Sequence, residues 1–196
     1  MATTNYDLFA ERGLRYRRFQ RPSRPGFFYG GIPQPQALQG LAQPWTVLDQ
    51  QRTVILDGSV PLYKLHGSLN WANEQGALVM YQDMRPAFRR GSDALIVPPV
   101  AEKETPVWLS DVWTAAEERL AGCDTWIVCG YFLPNYDVAL QELFTRAAAG
   151  GMLRSVYLLD PIAAPIAARW TNVAPTATLI PLPGLPDAVA DLARLL

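Results

Sequence analysis

Two short segments hold most of the side chains that could act on a substrate: Thr3-Thr4-Asn5-Tyr6-Asp7, and Tyr63-Lys64-Leu65-His66-Gly67-Ser68-Leu69-Asn70-Trp71. In each, polar groups sit where an apolar strand should end, and the two segments are expected to face each other. The chain has one histidine, so any imidazole base near neutral pH is His66. Plainer roles compete with these. His66 before a glycine suits a structural histidine, and Asn5 and Asp7 suit a helix N-cap pair ahead of Leu8-Phe9-Ala10-Glu11.

The elements that must position these groups are clearest in the second half. Short apolar runs at Leu95-Ile96-Val97, Trp126-Ile127-Val128-Cys129, Val156-Tyr157-Leu158-Leu159 and Thr178-Leu179-Ile180 read as buried strands. Between them, Thr105-Pro106 is an N-cap and N1 pair for a helix whose apolar stripe is Trp108, Leu109, Val112, Trp113, Ala116 and Leu120, ending at Gly122. Asp137 can cap a second helix with the stripe Leu140, Leu143, Phe144 and Ala147, stopped by Gly150-Gly151. A third helical stretch follows Asp160, interrupted at Pro165, and Asp187 can cap a last short helix in the tail from Pro186. This alternation predicts an α/β fold with a Rossmann-like, doubly wound parallel sheet. Ligands of such sheets bind at the carboxyl ends of the strands, where His66-Gly67, Gly130-Tyr131 and Asp160-Pro161 fall. Residues 21–60, rich in Pro and Gly over their first half, are expected to form an irregular surface excursion outside the sheet.

Composition narrows the class. The chain has 196 residues, 49% hydrophobic and 18% charged, which suits one domain spanning 1–196. No apolar run reaches the roughly 20 residues a bilayer needs, and no secretory segment follows Met1, so a cytoplasmic protein without membrane contact is expected. Seventeen basic against eighteen acidic side chains give a net charge of −1, which recruits neither nucleic acid nor an anionic membrane. The run Arg12, Arg15, Arg17, Arg18, Arg21 and Arg24 reads as a solvated helical face, with phosphate contact the sharper alternative. Cys123 and Cys129 lie roughly 20 Å apart along an extended path and are expected to be buried, unpaired thiols. With two cysteines and one histidine, a Cys/His zinc site is not expected.

In their order along the chain, TTNYD (3–7), KLHGS (64–68) with Asn70-Trp71 after it, Leu95-Ile96-Val97-Pro98-Pro99, Gly130-Tyr131-Phe132-Leu133-Pro134 with Asp137, and Val156 to Pro161 resemble the Sir-two-like family, in particular its bacterial branch. The resemblance covers nearly the whole chain. It implies a Rossmann-like domain that takes NAD as substrate, needs no metal, and cleaves the nicotinamide–ribose bond, most often as an NAD hydrolase in antiphage defence. His66 then matches the catalytic base on a ribose hydroxyl, and Asn5 the residue that positions water or the nicotinamide ribose. Asp7 matches the group near the carboxamide, Thr4 stands beside it, and Gly130, Tyr131 and Asp160 fall where the cofactor and its adenosine ribose are met. The chemistry agrees with that division. A transition state with positive charge on ribose needs a neutral group to orient the acceptor, an acceptor for the amide, and a base.

The sequence departs from the family at its amino terminus. TTNYD begins at residue 3, and the fourteen glycines contain no G-x-G-x-x-G cradle for a pyrophosphate. The sheet is therefore expected to be incomplete there, with weak or no activity and a tendency to self-associate or to need a missing amino-terminal segment. Phe132 stands where the family usually has Ser. The four cysteines of the zinc-containing deacylases have no counterpart, which disfavours a protein deacylase. The alternative class is a non-catalytic nucleotide-binding or protein-interaction module of the same fold.

Overall fold

A computed structural model describes residues 1–20, 27–32, 60–74, 77–80, 94–98 and 106–182. The chain is mixed α/β and divides into two compact units, one of Met1–Pro98 and Glu104–Ala116, the other of Pro99–Lys103 and Glu117–Leu196.

In the first unit, β1 (Ala2–Thr3), β2 (Phe27–Tyr29) and β3 (Val60–Lys64) form a small parallel sheet in the order β1-β3-β2. Its centre is β3, where Leu62 is fully buried, and Phe27 and Tyr29 are buried beside it on β2. Helix α1 (Phe9–Gln20) follows β1. Past β3 the chain makes a two-residue turn, Leu65-His66, and enters β4 (Gly67–Glu74), which pairs antiparallel with β5 (Ala77–Met80) and β6 (Ala94–Ile96). Helix α2 (Val107–Ala121), which belongs to this unit as far as Ala116, buries Leu109, Val112, Trp113 and Ala116, and the Trp113 indole donates to the Leu65 carbonyl at 2.7 Å.

The second unit runs β7 (Thr125–Cys129), α3 (Val138–Ala149), β8 (Ser155–Leu159), α4 (Ala163–Val173) and β9 (Thr178–Leu182). Its strands are parallel, with β8 central and in continuous register from Thr125↔Ser155 to Cys129↔Leu159 on one side and from Ser155↔Thr178 to Leu159↔Leu182 on the other. Trp126, Phe144 and Trp170 pack ring against ring at 5.4 to 6.4 Å and join β7, α3 and α4 in one aromatic core. The α3 stripe is buried as its period predicts. Pro165 does not interrupt α4: it lies in the first turn, where an amide has no intrahelical acceptor to lose.

Several expectations are corrected. The described strands form three three-stranded sheets, two parallel and one antiparallel, and the segment at 95–97 belongs to the antiparallel one because β6 pairs with β4. The excursion at 21–60 contributes to a sheet after all, since Phe27–Tyr29 pairs parallel with Val60–Leu62. The aromatic run there has strong strand propensity, which outweighs the neighbouring Pro and Gly. Both cysteines are free, but Cys129 is exposed and Cys123 half-buried. On β7 the alternation buries Trp126, and Ile127 and Cys129 fall on the opposite, exposed face. The expected tail helix from Pro186 and two residues of the Arg run, Arg21 and Arg24, lie outside the described residues, whereas Arg12, Arg15, Arg17 and Arg18 lie on α1, as the helical reading expects, with Arg12 exposed. No helix among the described residues is long and apolar enough to cross a membrane.

Two glycines give opposite expectations. Gly67 has φ +78°, and an added Cβ would lie 2.1 Å from the Leu95 carbonyl oxygen of the paired strand, a backbone atom with no room to retreat. Gly67→Ala should destabilise the chain by about 2 kcal/mol or more. Gly13, inside α1 with nothing within 4 Å of an added Cβ, should gain about 0.5–1 kcal/mol as Ala. Urea unfolding of both variants checks this pair of signs.

Candidate functional site

The two polar segments do meet. Strand β1 pairs with β3 in the register Ala2↔Tyr63 and Thr3↔Lys64, reinforced by the Tyr63 amide on the Met1 carbonyl and the Leu65 amide on the Thr3 carbonyl, both at 2.9 Å. Asn5 and His66 each lie two residues beyond the last paired residues, Thr3 and Lys64. Both therefore follow the carboxyl ends of adjacent parallel strands, the position at which open α/β sheets hold ligands.

The individual residues differ in readiness. Asn5 is exposed, and its amide donates to the Thr3 hydroxyl at 3.2 Å, which folds the loop back on β1. Thr4 is half-buried. Asp7 Oδ1 accepts the Phe9 amide at 2.9 Å, so this carboxylate caps the start of α1 as the N-cap reading expects. His66 is 3% exposed. Its ring centroid lies 6.0 Å from that of Tyr6, and its carbonyl accepts the Val97 amide at 2.8 Å.

Beneath the loop lies a polar chain that the sequence reading did not identify as a unit. Lys64 and Glu11, both fully buried, form an ion pair at 3.1 Å, and Lys64 Nζ also donates to the Asp7 carbonyl. The Tyr29 hydroxyl donates to Glu11 Oε1 at 3.0 Å and accepts from Asn70 Nδ2 at 3.3 Å. The Ser68 hydroxyl has one proton for two acceptors, Asn70 Oδ1 at 2.6 Å and the Tyr6 carbonyl at 3.3 Å, and the shorter contact is the stronger. The Leu69 amide secures the Tyr6 carbonyl at 3.0 Å. Glu11 Oε2 is buried with no hydrogen-bond partner among the described residues. Burial pushes the Lys64 pKa down, with Glu11 opposing that shift, and burial together with Glu11 pushes Tyr29 well up. A lysine closing an apolar strand and a glutamate four residues after Asp7 were visible in the sequence. Their partnership spans more than fifty residues and was not.

The second unit carries the other three candidates at the carboxyl ends of its strands. Gly130, after β7, takes φ +62°, an added Cβ there would meet nothing within 4 Å, and its amide donates to the Leu159 carbonyl at the end of β8 at 3.1 Å. Asp160 follows β8 and spends Oδ1 on the Ile162 amide at 2.9 Å, turning the chain into α4. Tyr131 donates to Asp137 Oδ2 at 3.2 Å and packs on Phe144. Asp137 is fully buried and makes no side-chain cap on α3, so its carboxylate faces the tyrosine instead. Leu133, 2% exposed, takes φ 52°, a conformation bulky residues rarely adopt. Phe132 is exposed; Arg169 donates to its carbonyl at 3.1 Å and lies 5.7 Å above its ring.

No protein-family model and no curated protein matches this chain.

The buried tyrosines give an alkaline signature. Desolvation, then the carboxylates beside them, raises both Tyr29 (Glu11) and Tyr131 (Asp137) above the ordinary tyrosine value. The folded chain keeps protons that the unfolded chain releases near pH 10, so stability present below about pH 10 falls as the pH rises past it. Among eight tyrosines, phenolate absorbance should show at least two, Tyr29 and Tyr131, that ionise only on alkaline unfolding, and Tyr131→Phe should lower that number by one.

Proposed function

We propose that the chain is an NAD-consuming protein of the Sir-two-like kind, with His66 as base and Asn5 as the group that orients the acceptor. What carries the reading is the β1–β3 register, which takes Asn5 and His66 past adjacent strand ends in the same step. In the proposed reaction nicotinamide leaves with the bonding electron pair while His66 draws a proton from a ribose hydroxyl; water then adds its oxygen to the ribose carbon and returns a proton to that alkoxide, and His66 passes the abstracted proton to solvent. Taken by itself, the second unit has strand-end positions of the kind that suit a nucleotide, at the open backbone of Gly130 and at Asp160. A cytoplasmic role in NAD depletion, including antiphage defence, belongs to the same reading.

A second reading, a nucleotide-binding or protein-interaction module without catalysis, draws on other observations. His66 is 3% exposed, and Asp7 and Asp160 each already hold a backbone amide. A base so enclosed acts only if the loop opens or the ligand displaces its cover.

Calorimetric titration with NAD, followed by chromatographic assay of nicotinamide release, separates the readings. The hydrolase reading expects binding and a release that His66→Ala lowers by about 10²–10⁴-fold. Binding without release supports the module. Neither binding nor release overturns both nucleotide readings.

A further inference from the structure

We propose that Lys64 and Glu11 are positioning residues: their buried ion pair clamps the Asp7 carbonyl and so fixes the 5–7 loop, and Asn5 with it, against the end of β3. For the reaction the inference rests on the NAD reading above, but the clamp itself does not.

The geometry is specific. The loop leaves β1 at Thr3 and reaches α1 at Phe9, and its two central carbonyls are both held from below, Tyr6 O by the Leu69 amide at 3.0 Å and Asp7 O by Lys64 Nζ. Lys64 stays in place because Glu11, on the first turn of the helix that the loop feeds, faces it at 3.1 Å. Glu11 is in turn held by Tyr29, Tyr29 by Asn70, and Asn70 Oδ1 by the Ser68 hydroxyl, whose chain neighbour Leu69 donates its amide to the Tyr6 carbonyl. One polar chain therefore begins and ends on the same loop, and it ties α1, β2, β3 and β4 to it.

Stability alone is a poor reason to keep such a pair. Apolar residues of similar volume often do as well as a buried ion pair, and the best-attested role of buried polar groups is to select one arrangement. A methionine at 64 would fill the same space but could not donate to the Asp7 carbonyl. The clamp supplies the fixed orientation that an exposed side chain such as Asn5 otherwise lacks, and small misplacement of an orienting group costs rate rather than binding.

The test compares the full chain with Lys64→Met and with Lys64→Met/Glu11→Gln. The single variant strands the Glu11 carboxylate in the core, so the double variant keeps the question open if the single one fails to fold. Hydrogen exchange at the Leu69 amide reports the clamp, and exchange at the Gly30 amide, which donates to the Leu62 carbonyl at 3.0 Å, reports the unit as a whole. In the folded double variant the clamp predicts Leu69 exchanging at least about tenfold faster with Gly30 unchanged. It also predicts nicotinamide release with kcat down about tenfold or more and KM for NAD within about twofold. Equal acceleration at both amides would reduce the pair to general stability and overturn the proposal, as would unchanged Leu69 protection. If the wild-type chain releases no nicotinamide, the NAD reading fails and the exchange measurement alone decides the clamp.

Discussion

The first unit is organised around one costly interaction, the fully buried pair between Lys64 and Glu11. Removing an ammonium and a carboxylate from water costs several kcal/mol each, which close approach and further hydrogen bonds must offset. Tyr29 and the Asp7 carbonyl each supply one such bond, Asn70 and Ser68 hold Tyr29 in place, and Glu11 Oε2 has no partner among the described residues. Breaking the pair from either side leaves an uncompensated charge, so α1, β2, β3, β4 and the loop at 5–7 form one arrangement. Gly67 adds a second constraint, since only a residue without Cβ can pass the Leu95 carbonyl at the entry to β4.

The second unit solves the same problem with apolar matter. Trp126, Phe144 and Trp170 fill the space between β7, α3 and α4, and the polar groups are spent at strand ends on local turns. Gly130 and Leu133 both enter the left-handed region in the loop after β7. For leucine this costs of order 1–3 kcal/mol, and it persists only where the surroundings dictate it. Burial of Leu133 and the Tyr131 to Asp137 bond in the same loop provide that surrounding.

Much of this was legible in the sequence, for identifiable reasons. The helices at 107–121 and 138–149 and the strands β7, β8 and β9 declare themselves through local period and capping, which need no distant partner. The meeting of TTNYD with KLHGS was legible as well, because both segments end strands with polar residues. Pairing direction was not: Leu95-Ile96 has the same apolar signature whether it joins a parallel sheet or lies antiparallel to β4. Phe27–Tyr29 was hidden by the Pro and Gly around it, and the exposure of Cys129 by not knowing which face of β7 the core takes. The Lys64–Glu11 network was least legible, because an ion pair across that separation has no local pattern.

The NAD site proposed above joins the segments after β1 and β3, and a titration of the ¹⁵N-labelled chain with NAD, followed at its amide resonances, tests whether they act as one site. Asn5 and Gly67 are expected to shift together along a single binding curve, with the Gly13 amide on α1 unmoved. NAD that leaves both resonances in place, or moves only one of the two segments, would contradict it.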